Sequence, residues 1–179
     1  MKEIVFHGRG GQGAVTAATL LAIAAFKGGK QTQSFPRFGV ERRGAPVQAF
    51  TRISDEFVRR KSQIYEPDIA VVLDSTLFSV VDITKGLKKG GMVIINTNRE
   101  PESFNIKNAE VKTIDVSSEA LKILGRDIVN TAMLGAYAAI TGDVPLEGIV
   151  EAVKEQFKGT IAEKNVTLVE SIYKKTEDK

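Results

Sequence analysis

The stretch EIVFHGRGGQGAVTAATLLAIAAFKGG, residues 3–29, changes character twice. Residues 3–6 are mostly apolar and β-branched or aromatic, the mark of a buried strand. The glycine cluster GRGGQG follows at 8–13. From Ala14 an Ala- and Leu-rich run continues to Gly28 and Gly29, a glycine stop for a helix. Strand, glycine turn and helix make the opening unit of an α/β sheet protein, and the chain keeps the alternation beyond it. IAVVLD at 69–74 and MVIINT at 92–97 are unbroken apolar runs, as in strands covered on both faces. Further strands are expected at 30–35, closed by Pro36, at 46–53 and at 110–115, with Phe57–Arg60 as a hairpin partner of the 46–53 strand. Helical spacing marks 77–87, 117–124, 128–141, 146–157 and 162–175. The expectation is a single three-layer α/β/α domain over residues 1–179, with a largely parallel or mixed sheet.

Composition narrows the chemistry. The 179 residues are 42% apolar and 26% charged, with 16 Gly and 5 Pro, so the chain belongs with packed globular proteins. It has no cysteine, which excludes disulfides, thiolate zinc and any iron–sulfur cluster ligated by its own cysteines. A single histidine, His7, rules out a multi-histidine metal centre and leaves one imidazole as a general base. No catalytic residue and no metal ligand is assigned. The N-terminal MKEIVFHG is interrupted too early for a secretory segment, and no apolar run reaches the ~18 residues of a membrane span, so a cytoplasmic protein without a membrane partner is expected. Net charge is +3, but residues 30–62 hold eight cations against three carboxylates, so this segment carries +5 and the remainder −2. The basic character is local and points to a local anionic partner.

Gly8, Gly10 and Gly13 have G-x-G-x-x-G spacing in the required strand-to-helix context. Such a loop lets backbone N–H groups and the helix dipole meet a phosphate, or it serves only as a tight turn. An NAD site also needs a carboxylate at the end of the second strand, where this chain has Gln33, Ser34, Phe35, Pro36 and Arg37. Arg37, Arg42 and Arg43 instead suit an additional phosphate, as in NADP or coenzyme A. The same RFGVERRG segment is also open to reading as an ion-pair staple through Glu41, or as a protein contact using Phe35 and Phe38. A free-standing NADP-type dehydrogenase lacks a catalytic pair. Nucleic-acid binding lacks stacking aromatics beyond Phe35, Phe38 and Phe50, so no nucleic-acid partner is expected.

HGRGGQGAVTAATLLA at 7–22, FPRFGVERRGAPVQAFTRIS at 35–54, PDIAVVLD at 67–74 and NTAMLGA at 130–136 together resemble the gamma subunit of the four-subunit 2-oxoacid:ferredoxin oxidoreductases, and among these pyruvate:ferredoxin oxidoreductase most. The resemblance spans nearly the whole chain. It implies a non-autonomous subunit of an enzyme that converts pyruvate, coenzyme A and oxidised ferredoxin to acetyl-CoA, carbon dioxide and reduced ferredoxin. Thiamine diphosphate and [4Fe-4S] clusters would then reside in the alpha, beta and delta partners, and coenzyme A would be bound in part by this chain. Carried over, Gly8, Arg9, Gly10, Gly11, Gln12 and Gly13 form the loop near the coenzyme A phosphates or a neighbouring subunit, while Glu41 and Arg43 order the second loop. Phe38-Gly39-Val40 and Ala45-Pro46 depart from relatives acting on other oxoacids, which favours pyruvate. The related 2-oxoglutarate, 2-oxoisovalerate and indolepyruvate enzymes, and a lone phosphate-binding module, are the alternatives.

Polar residues close several apolar runs: His7, Ser34, Asp74, Ser75, Asn96, Thr97 and Asn98. In open α/β sheets such positions border the ligand crevice. His7 before a tight turn reads as a packed, hydrogen-bonded spacer, and Asp74 as a cap for the segment from Ser75. Asn130 and Thr131 cap or bend a helix whose Met133, Leu134 and Tyr137 face the core, with Asn130 a candidate for ordering a loop or meeting an interface. Gly135 permits close approach of another helix.

Overall fold

The computed structural model describes residues 1–37, 42–60 and 62–178. Strand β1 (Lys2–Arg9) is covered on both sides: Ile4 and Phe6 enter one core, and Val5 enters the other. Helix α1 (Ala14–Lys27) leads to β2 (Gln31–Pro36), followed by β3 (Pro46–Ser54), β4 (Ile69–Val72), β5 (Gly91–Asn96) and β6 (Ala109–Ile114). The six strands form one sheet in the order β2-β3-β1-β4-β5-β6. Pairing is parallel from β1 through β4 and β5 to β6, whereas β3 runs antiparallel to both its neighbours. The α1 crossover leaves a gap one strand wide between β1 and β2, and β3 folds back to fill it.

From β1 the chain moves one way along the sheet to β2, and from β4 it moves the other way to β5 and β6. Right-handed crossovers therefore lie on opposite faces. On the first face α1 packs with α2 (Val116–Leu124), α3 (Ala132–Thr141), α4 (Leu146–Gln156) and α5 (Gly159–Glu177) over Ile4, Phe6, Val71 and Ile94. Gly135 brings α3 against α5, because a Cβ there would lie 2.4 Å from the Val169 carbonyl oxygen. The second face is layered by irregular chain and two 3-10 turns, Ser75–Ser79 and Pro101–Phe104, which cover Val5, Phe50, Val72, Val93 and Ile95. None of the described helices is long and apolar enough to cross a membrane.

Three local expectations are corrected. The helix expected at 77–87 is replaced by the short Ser75–Ser79 turn and bends, because Asp74 and Asp82 each accept the N–H of the threonine two residues on, an alternative that competes with helical bonding. Phe57–Arg60 forms no strand, since β1 and β2 already occupy both edges of β3. Helix α3 starts at Ala132 and not at 128, with Thr131 drawn instead into a 2.7 Å bond to Asn165 Oδ1.

Arg52, counted above with the basic segment, is 1% exposed. It stands opposite Glu3 in the β1–β3 register and donates from Nε to Glu3 Oε1 at 2.8 Å. The rest of the guanidinium bonds Gln33 Oε1 at 3.1 Å, Arg60 O at 3.4 Å and Ser62 O at 2.8 Å, and lies over the Phe35 ring. One buried cation thus ties three strands to the irregular chain after β3.

Candidate functional site

The glycine loop and the arginine segment are joined through their backbones. Gly10 N–H donates to Ala45 O at 2.8 Å, Gly44 N–H donates to Gly10 O at 3.0 Å, and Gly10 forms a parallel bridge with Arg43. A Cβ on Gly10 would sit 2.3 Å from the Arg42 carbonyl oxygen, so only glycine allows this approach. At the other end of the loop Gly13, with φ 78°, turns the chain into α1 without a side-chain cap. Its Cα faces Asn130, whose Nδ2 would be 2.4 Å from an added Cβ. Asn130 is 7% exposed, and its Oδ1 has no hydrogen-bond partner among the described residues.

Arg9 and Gln12 clasp this junction. Gln12 Oε1 accepts the Arg9 backbone N–H at 2.7 Å, and its Nε2 donates to Asp74 Oδ2 at 3.0 Å. The Arg9 guanidinium reaches Asp74 Oδ2 at 3.1 Å, Gly44 O at 3.1 Å and Thr76 Oγ1 at 2.9 Å. Partial burial works to raise the Asp74 pKa, yet the hydrogen bonds from Thr76 and Gln12 and the Arg9 charge hold it below the usual carboxylate range. Asp74 also caps the Ser75–Ser79 turn, as expected.

The loop is therefore only partly open to an anion. The amides of Arg9, Gly10 and Gln12 are engaged by Gln12 Oε1, Ala45 O and Arg9 O. Those of Gly11 and Gly13 have no acceptor among the described residues. Beside Gly11, Arg42 and Arg43 are exposed and border a hollow of about 520 Å³ with Gly10, Gly11 and Gln12. Gly8 lies inside β1, its Cα against Ala14 and Leu73. Arg37 is not with the other two arginines: it donates to Gln48 Oε1 at 2.6 Å and lines a cleft on the second face. Phe38 and Glu41 lie outside the described residues.

Asp74, Ser75, Asn96, Thr97 and Asn98 do share a crevice at the strand ends, about 410 Å³ in volume. His7 and Ser34 do not join it. Asp115 and Asp127 line the crevice as well, without a cation, so its field opposes a phosphate. Its polar groups are largely used to start α2: Asn96 Oδ1 accepts from Val116 N and Ser117 N, and Asp115 from Ser118 N. An anion is better placed on the Arg42–Arg43 side of the glycine loop.

Residues 3–175 match the family described as pyruvate ferredoxin/flavodoxin oxidoreductase. The chain belongs to this family. It is 56% identical to the pyruvate/ketoisovalerate oxidoreductases common subunit gamma of Thermococcus kodakarensis, over 98% of this chain and 97% of the relative. Pyruvate synthase subunit PorC of Methanothermobacter marburgensis is 55% identical over 98% and 97% of the two chains. In structure the chain is similar to the PORC subunit of Thermotoga maritima pyruvate oxidoreductase, with TM-score 0.85, 37% identity and coverage of 97% and 95%.

In this member of the pyruvate ferredoxin/flavodoxin oxidoreductase family, His7 is 4% exposed and faces the second-face cleft, with Nδ1 3.5 Å from Gln48 Nε2. Burial, with the Arg37 charge nearby, pushes its pKa from 6.5 down to about 4. The unfolded chain therefore takes up this proton first as pH falls. The stability tied to neutral His7 is whole above pH 6.5 and is lost as pH drops towards 4, by about 3 kcal/mol. Urea unfolding at about pH 7.5 and about pH 4.5 is expected to show a smaller acid loss for His7→Gln than for the wild type. Equal losses would place the acid sensitivity in other groups. The clasping roles of Gln12 and Arg9 were not read from the sequence, because their partner Asp74 is remote along the chain.

Proposed function

We infer that this chain is the gamma subunit of a pyruvate:ferredoxin oxidoreductase, and we propose that the Gly10–Arg43 junction contributes to holding coenzyme A by its phosphates. In this reading the cytoplasmic complex converts pyruvate, coenzyme A and oxidised ferredoxin to acetyl-CoA, carbon dioxide and reduced ferredoxin. Thiamine diphosphate and the [4Fe-4S] clusters belong to the alpha, beta and delta partners. This chain supplies no cysteine to a cluster.

The observation that carries the coenzyme A reading is the meeting, at one hollow, of the unengaged Gly11 amide with two exposed guanidinium groups, in the loop that leads into the uncapped start of α1. Neither Arg42 nor Arg43 has a carboxylate partner among the described residues. These groups fit a diphosphate: the Gly11 N–H group would donate to its oxygens, the α1 dipole would favour the charge, and Arg42 and Arg43 would supply paired donors. Bound there, coenzyme A would provide the thiol that accepts the acyl group. This chain's residues do not touch that chemistry; they set the position of the phosphate end. Arg9 is left out because its donors are committed to Asp74, Gly44 and Thr76, and Arg37 because it lies in a different cleft.

The Thermococcus kodakarensis relative is named as common to pyruvate and ketoisovalerate oxidoreductases. A subunit shared by two enzymes leaves oxoacid choice to its partners and serves the step that the two have in common. Coenzyme A binding and assembly are such steps.

Calorimetry on the assembled complex tests the reading. Arg42→Ala and Arg43→Ala are each expected to weaken coenzyme A binding about tenfold, the loss of one charge-assisted hydrogen bond. Unchanged affinity in both variants removes the proposed site.

A further inference from the structure

One carboxylate ties together the glycine loop and the arginine segment, although it belongs to neither. Strand β1 runs parallel to β4 with His7 beside Val72, and Leu73 N–H donates to His7 O at 2.8 Å. Continued by two residues, that register sets Asp74 beside Arg9 at the carboxyl ends of both strands. Both oxygens of Asp74 are in use. Oδ1 accepts the backbone N–H of Thr76 at 2.9 Å and its hydroxyl at 2.5 Å, while Oδ2 accepts Arg9 Nε at 3.1 Å and Gln12 Nε2 at 3.0 Å.

The residues held by Oδ2 each reach further. Gln12 Oε1 takes the Arg9 backbone N–H at 2.7 Å, which closes the loop around Gly10 and Gly11. Arg9 Nη2 donates to Thr76 Oγ1 at 2.9 Å, and Nη1 donates to Gly44 O at 3.1 Å, one residue beyond Arg43. Asp74 therefore holds the Gly11 loop through Gln12 and the Arg42–Arg43 segment through Arg9. The side chains of Arg9 and Asp74 are 27% and 17% exposed, so their contact is shielded in part from water and salt.

A carboxylate close to an anion site would by its charge alone repel a phosphate. Asp115 and Asp127 border the neighbouring crevice as well, but among the described residues neither bonds Arg9, Gln12, Arg42 or Arg43. Asp74 is the carboxylate built into the cradle.

The structure assigns to Asp74 a positioning role in coenzyme A binding: it orients Arg9 and Gln12 so that the Gly11 amide, Arg42 and Arg43 border the same hollow. The inference rests on the coenzyme A reading and adds to it a residue that does not touch the ligand. Such preorganisation is measured as affinity, because the two segments need not be ordered on binding. The sign of the effect separates clasp from charge. Removing a carboxylate that only repels tightens binding, whereas opening the clasp weakens it.

Calorimetry with coenzyme A on the assembled complex provides the test. Asn at position 74 has one oxygen, which can still cap Thr76 N–H but cannot also serve Arg9 and Gln12. Asp74→Asn is expected to weaken coenzyme A binding about tenfold, with the KM for coenzyme A rising in step and kcat changing far less. Asp127→Asn removes an exposed carboxylate from the same crevice without touching the clasp, and it is expected to change affinity less than about twofold. In an Arg43→Ala background Asp74→Asn is expected to cost less than about threefold, since one of the groups it places is gone. If Asp74→Asn does not assemble, Gln12→Met opens the clasp from the loop side with no change of charge, and it is expected to weaken binding about fivefold. Unchanged or tighter binding in Asp74→Asn overturns the positioning role, as does the same tenfold cost with Arg43 already removed; the phosphate site then stands without it. Unchanged affinity in Arg42→Ala and Arg43→Ala removes the site itself, and this inference with it.

Discussion

Arg52→Met is expected to lower the unfolding free energy by about 3–5 kcal/mol, the usual cost of removing one partner from a buried ion pair. Glu3 would remain as a carboxylate 7% exposed, without its charge partner, and the carbonyls of Arg60 and Ser62 would lose their donor. The lost packing over Phe35 adds to this. Because the pair is shielded from solvent, added salt should not reproduce the loss. A double variant, Glu3→Leu with Arg52→Met, is expected to recover part of it, since an apolar pair of similar volume avoids the stranded charge. Its recovery should be incomplete, because the carbonyls of Arg60 and Ser62 still lack a donor. Urea unfolding of the two variants checks both statements. A loss below about 1 kcal/mol in the single variant would mean that the pair contributes no more than a surface contact.

Arg52 also shows where the sequence stops being informative. In composition it is one more cation in a basic segment, and nothing local distinguishes it from Arg59 or Arg60. Its burial follows from register: β3 runs back beside β1, so Arg52 meets Glu3. By contrast β1, the glycine turn and α1 were legible because each is specified by neighbouring residues, a short apolar run, then glycines, then a helix-forming stretch with a glycine stop. The β4 and β5 runs were legible for the same reason, as uninterrupted apolar segments. At 77–87 the apolar spacing was helical, but Asp74 and Asp82 hold the backbone in turns through side-chain bonds, a choice that periodicity does not register. The site divides in the same way. The glycine loop and the arginine segment each carried a local signature, whereas their union at Gly10 and Arg43, and the separation of Arg37 from Arg42 and Arg43, depend on the path of the chain into β3.

Gly10→Val tests that union directly, and it is expected to be the most damaging change in the glycine loop. The new Cβ would lie 2.3 Å from the Arg42 carbonyl oxygen, a backbone atom that cannot swing aside as a side-chain tip would. Residues 42–45 must then move away, breaking Gly10 N–H to Ala45 O, Gly44 N–H to Gly10 O, and the reach of Arg9 to Gly44 O. The expected loss of stability is about 4 kcal/mol, from overpacking plus stranded backbone groups. Because the displacement carries Arg42 and Arg43 together, coenzyme A affinity of the assembled complex should fall about a hundredfold, the combined effect of the two arginine variants. Gly11→Ala provides the contrast. A Cβ there meets nothing within 4 Å, and the only penalty is the φ of 97°, worth about 1 kcal/mol. It leaves both arginines in place. Amide exchange adds a readout at the junction itself: the Gly44 N–H protection should vanish in Gly10→Val, whereas both the Gly10 and Gly44 N–H protection should persist in Gly11→Ala. If Gly10→Val keeps the wild-type affinity while Gly44 loses its protection, the phosphate grip does not depend on the two segments being joined.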